Sequence, residues 1–383
     1  RAMLWGAIAG TVPDLDILAN FPATEISALA FHRAFTHSLT FAFISPILFG
    51  WIIHRIYAHE EGFFSKSIWL DFGKFFLALW AMILLGTIFM PILPGEVIQI
   101  GLAVSLGVLF FPFVVFLREK TRFKPSRNGN VSWREWAILV FWAIFTHPLL
   151  DSCTTYGTQL FQPFWNYRVA FNNISVADPV YTVPFLLCVL IVLFLRRGSK
   201  VRRAFNWAGI ILSSCYLMLT GVNKLRVDAI YKDSFIAENI DYKRYSTSPT
   251  IFNSILWNGI AETEDKYYYA MYSLLDKSSC VSDFKVIQKN HHLLDKYGDD
   301  RNIEILKWFS NGYFNVEPLE DGRLLFNDLR YGTFGDSRDE EARFVFSFYI
   351  EETESGLKVN GHRERPEDAG EAFEVLLARI KGI

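Results

Sequence analysis

Cysteine is scarce in this sequence, and the charges nearly cancel. The 383 residues include four cysteines, and the formal net charge is −2. A chain with so little net charge gives no electrostatic reason to bind nucleic acid, so no nucleic-acid partner is expected. The cysteines lack the paired spacing of a zinc ribbon, and the sequence contains no internal repeat and no low-complexity tract.

The four cysteines lie in two kinds of sequence. Cys188 and Cys215 fall inside apolar runs and are expected to pack as small apolar side chains. Cys153 and Cys280 lie outside those runs, and a disulfide between them requires that both face an oxidising compartment. The sequence alone leaves open whether they pair.

Apolar residues are abundant and unevenly distributed. They make up 51% of the chain, against 20% charged residues, and they are concentrated before residue 223. The apolar runs are residues 1–18, 38–58, 71–93, 96–117, 133–150, 179–195 and 204–222. Because roughly 20 apolar residues cross a bilayer as a helix, we predict a polytopic α-helical membrane domain of about six to seven transmembrane helices over residues 1–222. The lipid bilayer is therefore an expected partner.

The remaining residues, 223–383, have a different pattern. Alternating, strand-like runs occur in "FKVIQ", "GRLLFNDLRYGTF" and "ARFVFSFYIEE", and "PEDAGEAFEVLLARIKG" is typical of a closing helix. This pattern predicts a small soluble α+β domain after the membrane domain.

Basic residues indicate how the chain is oriented. Lys and Arg are concentrated in residues 118–134 and 196–203, and loops rich in these residues stay in the cytoplasm. Counting predicted helices from these loops places Asp14, residues 31–37 and residues 151–178 on the outer face of the membrane. The C-terminal domain is then predicted to be extracytoplasmic.

The first polar motif on that face is "TVPDLDIL", which contains Asp14 and Asp16. Ionised carboxylates near hydrocarbon are costly unless they are paired or bound to a cation. Since two carboxylates separated by a single residue also repel each other, a cation beside them is one interpretation. A helix end whose carboxylates are solvated by water is the other.

The second motif is "HRAFTHS", with His32 and His37 five residues apart. On a continuous helix this spacing separates the imidazoles around the axis, unlike the i, i+4 pair of a helical zinc site. The spacing favours a junction between a loop and a helix, at which both rings can reach one site. A pair of ordinary interfacial histidines is the alternative.

The third motif is "THPLLD", in which His147 and Asp151 are four residues apart. They share one helical face if the helix persists through Pro148, although the residue before a proline avoids helical geometry. A histidine with a nearby carboxylate is typical of a metal ligand and its hydrogen-bond partner. A capped helix end with a buried histidine is the alternative.

Together the motifs supply nitrogen and oxygen donors without thiolates. Such donors suit zinc, manganese or iron, and we expect a divalent metal, with zinc as the first choice. The donors are numerous enough for one open mononuclear site or for a two-metal site.

Several stretches in this order resemble one known family: "AGTVPDLDIL", "HRAFTHSL", "THPLLDSCTTYGTQLFQPF" and "ADPVYTVPFLL". The resemblance is to the YdjM/YbcI-like family of inner-membrane metal-dependent hydrolases, also described as LexA-regulated membrane proteins, and covers residues 1–220. It implies metal ligands at Asp14, Asp16, His32, His37, His147, Asp151 and Asp178. Members commonly carry an upstream "D-x-x-T-H" segment whose histidine has no counterpart here, so this ligand set is expected to be incomplete.

The function that the motifs and this resemblance imply is a metal-dependent hydrolase bound to a bacterial inner membrane, with its active site at the outer face of that membrane. A metal-activated water would attack a phosphoester of a lipid or lipid-linked substrate. Asp16 and Asp151 are candidate general bases, and Arg33 and Arg168 are candidate phosphate clamps. The alternatives are an ion-coupled transporter and a non-catalytic scaffold stabilised by a metal. The polar residues lie near one interface rather than near the bilayer centre, which speaks against the transporter.

Overall fold

The chain forms two compact units in a computed structural model. The structure describes residues 2–20, 24–58, 131–333, 343–354, 356–362 and 369–382. The first unit comprises Arg1–Ser152 and Gly157–Val169, and the second comprises Cys153–Tyr156 and Ala170–Ile383.

The first unit is helical in the residues described. Its elements are α1 (Ala2–Thr11), a 3-10 helix (Pro13–Asn20), α2 (Glu25–Phe31), a 3-10 helix (Phe35–His37), α3 (Leu39–Ala58) and α4 (Trp133–Ser152). α1 ends just before Val12 and Pro13, because the residue before a proline is disfavoured in the α region. Thr24 begins α2 as its N-cap, with its hydroxyl accepting the Ser27 N–H at 3.2 Å.

Close packing of α3 against α4 holds this unit together. A Cβ atom at Gly50 would lie 2.4 Å from the backbone nitrogen of Ala137, so the two helices approach where α3 has no side chain. The buried core around this contact consists of Ala9, Phe41, Ala42, Ile53, Trp136, Val140 and Ile144. It fixes α1, α3 and α4, from which the site described below is built.

The second unit begins with two helices and continues into two sheets. Its helices are α5 (Pro179–Phe194), α6 (Lys200–Ala237), a 3-10 helix (His291–Tyr297), α7 (Arg301–Phe309) and α8 (Ala369–Ile380). Its strands are β1 (Arg244–Pro249), β2 (Leu256–Glu262), β3 (Lys266–Ser273), β4 (Lys285–Gln288), β5 (Phe314–Pro318), β6 (Leu324–Thr333), β7 (Phe344–Thr353) and β8 (Gly356–His362).

Both sheets are antiparallel, with strand orders β1-β2-β3-β4 and β5-β6-β7-β8. The C-terminal part of α6 packs on the first sheet through Tyr231, which is fully buried beside Trp257. The Tyr231 hydroxyl donates a hydrogen bond to the Ala270 carbonyl at 2.8 Å, so its polar end is satisfied inside the core. α6 is therefore a single element that joins apolar sequence to the sheets.

The predicted domain of six to seven transmembrane helices is wrong. Among the residues described, two helices are long and apolar enough to cross a membrane, Leu39–Tyr57 and Lys200–Ala237. Two of the other predicted spans fail on length, since α1 has 10 residues and α5 has 16, below the roughly 20 that a bilayer requires. α4 has 20 residues but is less apolar, with charged residues near both ends. The predicted runs 71–93 and 96–117 lie outside the described residues.

Other local predictions agree with the structure. The three strand-like runs correspond to β4, β6 and β7, and the closing helix corresponds to α8, whose Leu376 and Ile380 pack on the buried core.

The predicted domain boundary after residue 222 falls inside α6, which continues without a break. Cys153 and Cys280 are not joined by a disulfide.

Candidate metal centre

Two short 3-10 helices and the end of α4 bring the polar motifs together. The first 3-10 helix carries Asp14 and Asp16, and the second carries His37 immediately before α3. α4 continues through Pro148 to Ser152, so His147 and Asp151 lie on the same helical face. The backbone thus directs side chains from three separate motifs to one place.

Four side-chain atoms converge there. The Nε2 atoms of His37 and His147 each lie 3.3 Å from Oδ1 of Asp14. The same two nitrogens each lie 3.4 Å from Oδ2 of Asp151. Ligand atoms of Asp14, His37 and His147 all lie within 4.8 Å of one another, as required for binding a single ion.

The spacing of these atoms fits a small divalent cation. Zinc bonds to nitrogen and oxygen are about 2.0–2.2 Å long, so neighbouring ligand atoms in a tetrahedral site are about 3.3–3.6 Å apart. The two separations of 3.3 Å between Asp14 Oδ1 and the histidine nitrogens match this value. The donor set is also the one that zinc, manganese and iron accept.

The far nitrogen of each histidine is held by an oxygen atom. Nδ1 of His147 lies 2.8 Å from the Gly10 carbonyl oxygen, and Nδ1 of His37 lies 3.3 Å from Oδ2 of Asp16. A carbonyl oxygen and an ionised carboxylate only accept hydrogen bonds, so each Nδ1 carries a proton in the neutral ring. Each Nε2 then has its lone pair directed at the common point, as metal-binding histidines require.

Asp16 organises the polypeptide around the site. Its side chain is 1% exposed, and its oxygens accept hydrogen bonds from His32 Nδ1 at 2.9 Å and from the Arg33 N–H at 2.8 Å. Arg33 has a left-handed backbone (φ 59°), and its guanidinium lies 3.2 Å from Oδ1 of Asp151. Asp16 and Arg33 together connect the histidine motif to both of the other motifs.

The electrostatics of the site favour ionised carboxylates. Hydrogen bonds from His147 and then His37 hold the pKa of Asp14 well below its usual range. Burial works to raise the pKa of Asp16, but hydrogen bonds from His32 and His37 outweigh it and lower the pKa to about 2. Burial opposes charge on His37, yet its hydrogen bonds to Asp14 and Asp16 raise its pKa. The carboxylates therefore favour protonation of the histidines, and a divalent cation can bind in place of those protons.

Comparison with known proteins supports the membrane setting. A family model described as "YdjM inner membrane protein" matches residues 1–227. The chain belongs to the YdjM inner membrane protein family. Searches of curated proteins and of solved structures each found no match.

Membership in the YdjM family confirms the resemblance seen in the motifs and supports an inner-membrane location. It also supports the lipid bilayer as a partner, since an inner membrane protein is surrounded by lipid. The matched residues include every polar side chain of the site, from Asp14 to Asp151. The family description names no reaction, so the chemistry must be argued from the site.

Within the part of the YdjM-family chain that the structure describes, the group able to hold one ion is Asp14, His37 and His147. Asp151 adjoins this group, whereas Asp16 and His32 form the hydrogen-bonded surroundings of His37 and Arg33. The structure thus brings the side chains of all three motifs together, and their assignment as metal ligands stays a prediction.

Asp178 has a different environment from the other predicted ligands. It belongs to the second unit, where its Oδ1 caps α5 by accepting the N–H of Val180 at 2.9 Å. Its Oδ2 accepts hydrogen bonds from the hydroxyls of Tyr216 and Ser254, each at 2.8 Å. These contacts explain a buried carboxylate at this position by hydrogen bonding within the second unit.

Arg168 and Gly10 also contact residues in or next to the three motifs. Arg168 directs its guanidinium to backbone carbonyls, those of His32 at 3.3 Å and Gly157 at 3.4 Å. The Gly10 carbonyl, which holds His147, was missed by sequence reasoning. No side-chain pattern signals such a contact, because every residue has a backbone carbonyl.

Proposed function

We propose that this chain is a metal-dependent hydrolase of the inner membrane, with one divalent metal held by Asp14, His37 and His147. The observation that carries the proposal is the 3.3 Å spacing between Asp14 Oδ1 and the two histidine Nε2 atoms. Two histidines and one carboxylate form a ligand set typical of catalytic zinc sites, which keep the fourth position for water or substrate. Zinc is the first candidate, with manganese and iron as alternatives.

A bound divalent metal supplies Lewis acidity, which polarises a phosphoryl or carbonyl oxygen and lets water react near neutral pH. The chain's own residues hold and surround it. Asp151 faces the ligand group with Oδ2 while Arg33 holds its other oxygen. We assign Asp151 the role of general base, because its Oδ2 lies 3.4 Å from Nε2 of both histidines and would stand beside a bound metal. Asp16, which sequence reasoning offered as a base, orients His37 and the Arg33 backbone instead.

The exposure of the ligands indicates where a substrate approaches. The Asp14 side chain is 54% exposed and that of His147 is 21% exposed, whereas His37 is fully buried. One side of the site is therefore open, as a catalytic metal requires and a structural metal does not.

The position of the site in the chain supports a lipid or lipid-linked substrate. His37 lies two residues before Leu39, where α3 begins, and α3 contains one of the two candidate membrane spans. The end of a spanning helix lies at the level of the lipid headgroups. A phosphoester is the favoured bond, because phosphoesters are concentrated at that level.

Metal analysis of the purified full-length protein tests this assignment. We expect about one equivalent of metal in the wild type, and its loss in His37→Ala and His147→Ala, because each removes one of three ligands. His32→Ala should retain the metal, since His32 contacts Asp16 rather than the ligand group. His292→Ala, an exposed histidine of the second unit, is the matched control. A wild type without metal under these conditions contradicts the proposal.

Asp151→Ala separates a catalytic site from a closed structural one. If Asp151 is the base, the variant keeps its metal and loses hydrolysis of phospholipids or lipid phosphates. If Asp151 is instead a fourth ligand in a closed site, the variant loses its metal, and the non-catalytic scaffold becomes the better explanation.

A further inference from the structure

The loop Gly157–Val169, here called the aromatic loop, has its polar side chains inside and its aromatic side chains outside. Thr158, Gln159 and Gln162 are between 0% and 3% exposed. Phe164 is 87% exposed and Trp165 is 57% exposed. In a water-facing loop the opposite arrangement is normal, and an exposed cluster of large apolar side chains indicates a binding surface.

The exposed rings form an ordered group. Trp165 stacks between two neighbours, with ring centroids 5.8 Å from Phe161 and 5.0 Å from Tyr167. All four aromatic side chains are exposed: Phe161, Phe164, Trp165 and Tyr167. Residues 157–169 contain no Asp or Glu, so no carboxylate opposes entry into an apolar or anionic environment.

The base of the aromatic loop is tied to the metal centre. Thr158 and Val169 close the loop with two backbone hydrogen bonds, at 3.0 and 2.9 Å. The Gln159 N–H donates to the Arg33 carbonyl at 3.0 Å, and the Gln159 side chain donates to the Ala30 carbonyl at 2.9 Å. The buried glutamine thus fixes the loop to the segment that holds Asp16 and Asp151.

The loop is also bonded to the first residue of a candidate membrane span. The Leu39 N–H, at the start of α3, donates to the Leu160 carbonyl at 2.9 Å. Phe161 follows directly, so the exposed rings begin at the level where this span ends. Trp and Tyr are enriched at that level in membrane proteins, because their rings are apolar and their N–H and O–H groups reach water.

We infer that the aromatic loop lies among the lipid headgroups and holds the metal centre at that depth. The occupant of its exposed face is the bilayer of the inner membrane, in which α3 begins beside the loop. This inference rests on the proposed function in one respect, namely that the centre acts on a lipid phosphoester located at the same depth. The contact with lipid itself follows from the loop and does not require a metal.

Depth-dependent quenching of tryptophan fluorescence tests the placement. The full-length protein is reconstituted in vesicles of phosphatidylcholine and phosphatidylglycerol, with bromine placed near the headgroup or near the end of the acyl chain. The Trp165 component is obtained by subtracting the spectrum of Trp165→Phe. We expect blue-shifted emission that headgroup-proximal bromine largely removes, that chain-end bromine reduces less, and that aqueous iodide leaves almost unchanged.

Two variants keep this test decisive. Phe164→Trp combined with Trp165→Phe moves the reporter to the most exposed ring, and its emission should behave in the same way. Trp308→Phe provides the subtraction control, because Trp308 lies on α7, a short charged helix outside both candidate membrane spans, and its component should not depend on the bromine position.

Two results overturn the inference. Trp165 emission that iodide removes and bromine does not would show a loop in water. Emission that neither quencher reaches would show that protein, such as a second copy of the chain, covers the loop. Zinc content measured on the same vesicles separates the two proposals: quenching without zinc leaves the lipid contact and refutes the metal centre, and zinc without quenching does the reverse.

Discussion

Replacing Asp16 by Asn tests whether the buried carboxylate supports the metal centre from outside its ligand group. Asp16 uses one oxygen for His32 and the other for the Arg33 N–H, and Oδ2 also lies 3.3 Å from His37 Nδ1. An amide has one oxygen and one NH₂ group, so Asn must direct N–H groups at one of these donors. The change keeps the side chain's shape and removes both its charge and one of its acceptors.

The expected loss follows from the role of His37. Without an anionic acceptor at Nδ1, the imidazole is a weaker base and is less firmly oriented. Removing such a partner typically reduces metal affinity by about 10–100-fold, or roughly 1.4–2.7 kcal/mol. The loss should be smaller than that caused by His37→Ala, which removes a ligand outright.

A zinc titration against a competing chelator, in detergent and at constant pH, measures this difference. Asp178→Asn is the matched control, because Asp178 is also buried and also accepts several hydrogen bonds, in the second unit. We expect its zinc affinity to equal that of the wild type. An Asp16→Asn protein that keeps its fold and binds zinc within about twofold of the wild type would refute the support role.

Three further predictions use other features of the chain. Zinc affinity should rise with pH through neutrality, by up to about tenfold per pH unit for each proton displaced. The reason is that the pKa of His37 is raised, so protons compete with zinc for this histidine when the pH is below that pKa. Chelator titrations from pH 6 to 8 measure the slope, and a flat profile contradicts the assignment. Gly50→Ala should lower the stability of the first unit by about 1–3 kcal/mol, because the added methyl group would push α3 away from Ala137. Gly6→Ala should not lower it, because the space around a Cβ atom at Gly6 is open. Thermal melts compare the two variants. Asp178→Ala should cost about 0.5–2 kcal/mol through loss of the α5 cap and leave bound metal unchanged, as thermal melts and metal analysis would show. A loss of metal would return Asp178 to the ligand set.

The grouping of polar side chains near α3 was easier to predict from sequence than the membrane helices themselves. Apolar runs of 17–23 residues look alike in composition, but helix length depends on where backbone hydrogen bonding stops. Val12 and Pro13 stop α1 after 10 residues, well short of the predicted run of 18. α5 has 16 residues, nearly the whole predicted run of 17, so there the run itself was too short to count as a span. Run length therefore overestimated the number of spans, whereas the i, i+4 relation of His147 and Asp151 needed only a continuous helix and was confirmed.

The division of roles between Asp14 and Asp16 needed the local backbone geometry. Two residues apart on a strand, their side chains would share a face; on an α-helix they would lie about 160° apart. In the 3-10 helix that forms, each residue advances about 120°, so the two carboxylates point in directions about 120° apart. That angle lets them approach opposite ends of one imidazole: Asp14 lies at Nε2 of His37 and Asp16 at Nδ1.

The two carboxylates at opposite ends of the His37 ring account for both the motif and its position beside α3. A carboxylate at each end of His37 favours a proton on the ring, and hydrogen bonds to Asp14 and Asp16 raise the pKa of His37 against the effect of burial. In the proposed centre, a cation bound at Nε2 and Asp14 would replace the proton at that end, while Asp16 would keep the proton at Nδ1. Two carboxylates separated by one residue would then not compete for one ion: one would be a ligand, and the other would set the basicity of the ligand beside it. Because the His37 ring is fully buried and the Asp14 side chain is 54% exposed, this exchange of proton for metal would take place from the side of Asp14, at the start of α3.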